Sequence, residues 1–187
     1  MNQLEKQIKA VSTFARKYKT QIKHRPALNQ IKVIDGKGYF TNGNVAFYFN
    51  DAFPESVPLN DFTNEQIGDF YPDMNRLIDI NGYPQANENN LAEMIDILKA
   101  GKDQGLWKDT TKNIKLYHIE EGKPVLGENV NYHNIDPRML YHTLNCLKRL
   151  GEKTVEIALN PEKIVRPIRI KGKETGIEVL FCPIRIS

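Results

Sequence analysis

The 187-residue chain contains side chains capable of chemistry, but they are not spaced for catalysis. His24, His118, His133 and His142 lie far apart, with none of the short intervals that put two metal ligands on one helix or loop. Asp69 and Asp73 flank Phe70-Tyr71-Pro72 and could pair as carboxylates or hold magnesium. In an acidic, proline-containing stretch, however, such residues usually cap a turn. Gly36-Lys37-Gly38 lacks the glycine spacing of a phosphate-binding loop, and there is no nucleophile-elbow serine and no HExxH. Cys146 and Cys182 form no CxxC and are expected to be buried, reduced thiols. The expectation is a protein that is not an enzyme and needs no metal and no cofactor.

Charge is more informative. The net charge is only +3, but it is unevenly distributed. Residues 1–38 carry nine basic and two acidic residues, 39–110 four basic and twelve acidic, and 111–187 thirteen basic and nine acidic. Balances of +7, −8 and +4 describe a polarised chain, which points to a polyanionic partner. Apolar residues make up 40% of the chain and charged residues 26%, an ordinary globular composition. No apolar run approaches the ~18–20 residues that span a bilayer, and the first residues lack a signal-peptide core. A cytoplasmic protein with no membrane partner is expected.

The elements that would carry these charges follow from periodicity. Leu4, Ile8, Val11, Ala15 and Tyr18 recur at helical spacing and predict a helix over 2–19. Alternation predicts strands over 28–34 and 39–50, separated by a turn at Asp35-Gly36-Lys37-Gly38 and bent at Asn42-Gly43. Residues 51–90, with four prolines, read as loop. A second helix is predicted from about Asn90 to Lys102, and a strand over 113–120. The third helix is the best marked, with Asp136 as N-cap, Pro137 at its first position and Gly151 past its end. Strands over 154–159, 164–170 and 176–186 follow. The fold class is α+β, and helix-then-strands at 2–50 and 136–186 suggests an internal duplication.

At about 100° per residue, Lys6, Lys9, Arg16 and Lys17 fall at roughly 120–220° from the apolar Leu4. Arg138, His142, Asn145 and Arg149 fall at roughly 140–200° from Leu140. Each stripe lies opposite the buried one, and neither contains an acid. Such stripes suit contact with a phosphate backbone. The second helix instead carries Glu93 and Asp96 on the corresponding face.

The segment from Ile135-Asp136-Pro137 through Leu150, the strands after it and the tail Cys182-Pro183-Ile184-Arg185-Ile186 resemble the C-terminal end of the bacterial DNA polymerase sliding clamp (beta subunit). The first helix leading into Arg25-Pro26-Ala27-Leu28 and a strand is similar to the opening of a clamp domain. Phe70-Tyr71-Pro72-Asp73-Met74-Asn75-Arg76-Leu77-Ile78 is similar to a segment near clamp domain junctions. The resemblance implies helices packed on antiparallel meander sheets. It also implies non-specific contact of Lys6, Lys9, Arg16, Lys17, Arg138, His142 and Arg149 with double-stranded DNA.

By the same resemblance, Pro183, Ile184 and Arg185 border a pocket for partner peptides, such as those of a DNA polymerase. A processivity factor in DNA replication or repair is implied, with a phage or mobile-element origin suggested by the short length. One copy is too short to close a ring, so a ring would require a homo-oligomer. The simplest division is a first clamp-like half at 1–51, an acidic insertion or connector at 52–112 and a second half at 113–187. A clamp-fold interaction module that does not encircle DNA is the alternative.

Overall fold

The computed structural model describes residues 2–59, 71–74, 83, 86–107, 117–127, 133–160 and 166–184. The chain opens with α1 (Gln3–Lys17) and a short α2 (Lys19–Ile22). A capping box starts α1, with Asn2 accepting from the Glu5 amide at 2.8 Å and Glu5 accepting from the Asn2 amide at 3.0 Å. Pro26 does not lead straight into a strand, because residues Pro26–Leu28 form a 3-10 turn. The strands β1 (Gln30–Ile34), β2 (Lys37–Thr41), β3 (Val45–Ala52) and β4 (Val57–Pro58) follow, then β5 (Ala86–Asn90) and α3 (Leu91–Asp103). Next come β6 (Tyr117–Glu120), β7 (Lys123–Leu126) and β8 (His133–Ile135). The last elements are α4 (Pro137–Leu150), β9 (Thr154–Ala158), β10 (Ile168–Gly172) and β11 (Glu178–Phe181).

Both tight hairpins carry the chemistry their turns demand. Asp35 and Gly36 have φ of 51° and 77°, and Glu121 and Gly122 have 48° and 81°. These are the paired positive values of a two-residue hairpin turn, which match the twist of the strands on either side.

Eight strands form one antiparallel sheet in the order β4-β1-β2-β3-β11-β10-β9-β5, and three form a second in the order β7-β6-β8. The large sheet joins two meanders, β1-β2-β3 and β9-β10-β11, through the β3–β11 pair. The duplication expected from sequence is thus visible as two helix-plus-meander units, led by α1 and α4. α3 heads a third group of three strands, but with β6 in the middle.

Period-two alternation splits the side chains of the large sheet between two cores. Phe40, Phe47, Phe49, Ile157, Ile170, Val179 and Phe181 face the main core with Phe14 of α1, Leu98 of α3 and Leu144 of α4. Phe14 meets Phe47 edge-on at 5.1 Å. Each such large side chain contributes about 1.5–3 kcal/mol by burial. Tyr39, Tyr48 and Leu180 face the other way and are covered by Met74 and Tyr71, whose hydroxyl donates to the Tyr39 carbonyl at 3.1 Å. The Tyr71-Pro72-Asp73-Met74 part of the junction-like segment therefore straps the outer face of the sheet, while Phe70 and 75–78 lie outside the described residues.

The three long helices among the described residues lie side by side with α4 in the middle, touching α1 on one flank and α3 on the other. Gly101 lets α3 approach the Tyr117 hydroxyl of β6, where a Cβ would collide with that oxygen. Within the stretch read as loop and insertion, β5 adds an edge to the large sheet and α3 a helix to the layer covering it. Cys146 is buried as expected, but Cys182 is exposed, because the chain leaves the sheet at Phe181.

Candidate nucleic-acid interface

Packing of α1 against α4 decides which cations share a surface. The apolar stripes of both helices turn to the sheet, leaving their opposite sides to solvent. Lys6, Lys9 and Arg149 line one surface depression together with Ala10. A second groove, between the helices, is lined by Ala10, Thr13, Phe14, Lys17, His142, Asn145, Cys146 and Arg149. Arg149 is common to both. The two stripes thus adjoin across one helix pair, and among the described residues neither lining contains a carboxylate.

Pairing separates the seven sequence-predicted cationic and polar contacts. Among the described residues no carboxylate bridges Lys6, Lys9, Arg16, Lys17 or Arg149, all of them exposed. Arg138 differs, with its Nε 3.5 Å from Asp136 Oδ1. That carboxylate also caps α4, accepting from the amides of Arg138 and Met139 at 2.8 and 3.3 Å. Arg16 lines neither depression.

His142 is half-buried and is not a ready cation. Its Nδ1 lies 2.9 Å from the Tyr18 hydroxyl. Burial, first of all, pushes its pKa down to about 4; Lys17, Lys102 and Arg138 push the same way, against Asp136. At neutral pH it is a neutral donor and acceptor. Burial, followed by the Asp136 charge, raises the Tyr18 pKa, so its hydroxyl keeps its proton. Tyr18 was read only as part of the apolar stripe of α1. Its polar end meets a residue far away in the chain, which no helical wheel could indicate.

On its other flank α4 meets α3 and the turn that follows it through aromatic contacts. Trp107 and Tyr141 lie 5.3 Å apart edge-on, and Lys102 Nζ sits 5.9 Å from the Tyr141 ring centre. Of the three acids on α3, Glu93 is tied to Lys123 of β7 at 3.0 Å.

At the other end of the chain, the Cys182 amide donates to Asn44 at 2.8 Å and the Ile184 amide to Asn134 at 2.7 Å. The tail thereby passes from the large sheet to β8 of the small one. Pro183 and Ile184 are half-buried; Arg185 lies outside the described residues. Among the described residues no group of three or more His, Cys, Asp or Glu is arranged to hold a metal, and no helix is long and apolar enough to cross a membrane.

The architecture matches solved structures. The DNA polymerase sliding clamp of Bacillus subtilis superposes with a TM-score of 0.58 at 17% identity, over 87% of this chain and 58% of that one. The fold is that of a bacterial DNA polymerase sliding clamp. The beta-subunit clamp of Bartonella birtlesii, bound to griselimycin, gives a TM-score of 0.59 at 12% identity, over 87% of this chain and 60% of the clamp. The beta-subunit clamp of Borrelia burgdorferi gives 0.57 at 13%, over 88% and 58%. The chain thus spans about three fifths of the length of each of these three proteins. No protein-family model matches the sequence, and no curated protein does. The clamp fold is therefore shared at a level of identity where the architecture persists and the side chains do not.

Proposed function

We propose that this protein is a non-enzymatic, clamp-fold DNA-binding protein. It holds duplex DNA through the phosphate backbone and tethers replication or repair partners. The observation that supports this most is the set of cations without a carboxylate partner on neighbouring helices, Lys6, Lys9 and Lys17 on α1 and Arg149 on α4, around depressions whose described lining holds no acid. Charge without directional base-reading groups suits sequence-independent backbone contact. Arg16 reinforces the α1 side, and Arg138 contributes less because Asp136 draws on its charge. Pro183 and Ile184, with Arg185, form the border of a site for partner peptides.

The test is binding of short duplexes of unrelated sequence, followed by fluorescence anisotropy across a salt series. Similar affinities that fall steeply with salt are expected. Absence of salt-dependent binding overturns the reading.

The −8 balance of residues 39–110 favours a second reading, an interaction module that does not encircle DNA. Such a surface repels DNA and suits a basic protein partner. A monomer in light scattering that circular DNA does not retain supports the module. A homo-oligomer retained on closed circles and released on linearisation supports a tether.

A further inference from the structure

The groove between α1 and α4 has a composition that plain electrostatic attraction does not require. Its apolar floor is Ala10, Phe14 and the buried Cys146. Around that floor stand donors from both helices: Lys17 from α1, and His142, Asn145 and Arg149 from α4. Asn145 Nδ2 donates one hydrogen to the Tyr141 carbonyl at 2.7 Å and has a second to give. The Tyr18 hydroxyl occupies His142 Nδ1, leaving Nε2 as the other hydrogen-bonding atom of the ring.

We propose that this groove seats a single phosphodiester group of a nucleic-acid backbone, held between Lys17 and Arg149 with His142 as a proton-taking third ligand. The inference rests on the DNA-binding reading and adds a fixed position and a proton to it. A seated monoanion selects the tautomer in which Nδ1 accepts from Tyr18 and Nε2–H donates to phosphate. On protonation both ring nitrogens donate, Nδ1 to the Tyr18 oxygen and Nε2 to the anion.

The charged groups around His142 are Lys17 from α1, Lys102 from α3, and Asp136 and Arg138 from the start of α4. Three of these four are cations that oppose protonation, and a bound anion offsets them. In mild acid, binding therefore takes up a fraction of a proton, and affinity rises with acidity in a range where phosphodiesters do not titrate.

Two measurements on the full chain test this. The first is NMR titration with dimethyl phosphate, a phosphodiester monoanion. It should shift the Lys17, Asn145, His142 and Arg149 signals and raise the His142 pKa by about one unit, a tenfold change in proton affinity. The second is duplex affinity between pH 7 and 5 for the protein and for His142→Gln. The protein should bind about twofold more tightly at pH 5 than at pH 7, and the variant should lose that gain.

Duplex binding with the same pH response in both proteins, and no groove shifts from dimethyl phosphate, overturns the seat but leaves the DNA reading intact. Groove shifts without duplex binding uphold the phosphate seat and remove DNA as its source. The NMR titration uses the unsubstituted protein, so poor folding of the variant does not decide the result.

Discussion

The Tyr18 hydroxyl and His142 Nδ1 lie 2.9 Å apart, joining the end of α1 to the exposed side of α4. This contact makes the helix pair sensitive to acid. In the unfolded chain the imidazole titrates near 6.5, whereas in the fold it is pushed down to about 4, mainly by burial. Between those values the unfolded state binds more protons, so stability present above pH 6.5 is lost as the pH falls through the folded value. The ring is only partly buried, so solvent screening leaves an effect on the order of 1–2 kcal/mol. Burial lowers the His133 pKa too and adds in the same direction. Thermal denaturation from pH 7 to 4 should therefore show a smaller loss in His142→Gln than in the unsubstituted protein. Tyr18→Phe should cost about 1 kcal/mol at pH 7.

Salt dependence separates paired from unpaired cations. The log affinity for duplex DNA should fall with log salt by about 0.9 per neutralised phosphate. Replacing Lys17 and Arg149 together by Ala should reduce that slope by about 1.8. Arg138→Ala should change it less, because Asp136 holds its Nε. A larger change from Arg138→Ala than from the double replacement contradicts the assignment.

Asp136 supports α4 and restrains Arg138, so its removal should have two opposite effects. Asp136→Ala loses the N-cap, costing about 1 kcal/mol in denaturant unfolding. The same change removes the negative charge beside the Arg138 guanidinium and should steepen the salt slope of DNA binding. Asp136→Asn should keep most of the cap while still removing the charge, which makes the two effects separable.

Glu152 and Glu174 lock the end of α4 to the β10–β11 turn. The buried Glu152 carboxylate accepts from the amides of Glu174 and Thr175 at 2.9 and 3.0 Å and from the Thr175 hydroxyl. Glu174 in return accepts from the amides of Lys153 and Thr154 at 3.0 and 3.3 Å. Glu152→Ala leaves donors without partners and should cost about 2–3 kcal/mol. Burial raises the Glu152 pKa, so its contribution is present at low pH and lost as pH rises. Hydrogen bonds, from Glu152 first and then from the Lys153 amide, hold Glu174 down to about 2. The Glu174 contribution is therefore complete above its ordinary value of 4.5 and lost as pH falls through about 2. Acid unfolding followed by circular dichroism should lose that component in Glu174→Gln.

The sequence was most legible where local signals agreed. Asp136, Pro137 and Gly151 bracket α4, and Gly151 adopts the left-handed φ of 106° that ends it. β5 escaped because Ala86-Asn87-Glu88-Asn89-Asn90 has no apolar alternation and joins the sheet by backbone pairing with β9. β7 and β8 escaped because they are four and three residues long and one contains Pro124. The cationic stripes could be drawn on each helix separately. Their adjacency depends on α1 packing against α4, which tertiary structure alone supplies. Cys182 was misjudged because the apolar run Val179-Leu180-Phe181 ends just before it.

The β3–β11 pair sets Val45 opposite Phe181 and Tyr48 opposite Glu178. During synthesis the first meander therefore emerges long before the strand that completes it. Until then β3 presents an open hydrogen-bonding edge flanked by Phe47 and Phe49, a template for pairing with another chain. Contacts so distant in sequence make folding slow and leave that edge uncovered for longer. The nascent chain is thus most prone to aggregation late in translation, and a product stopped before β11 would retain that liability.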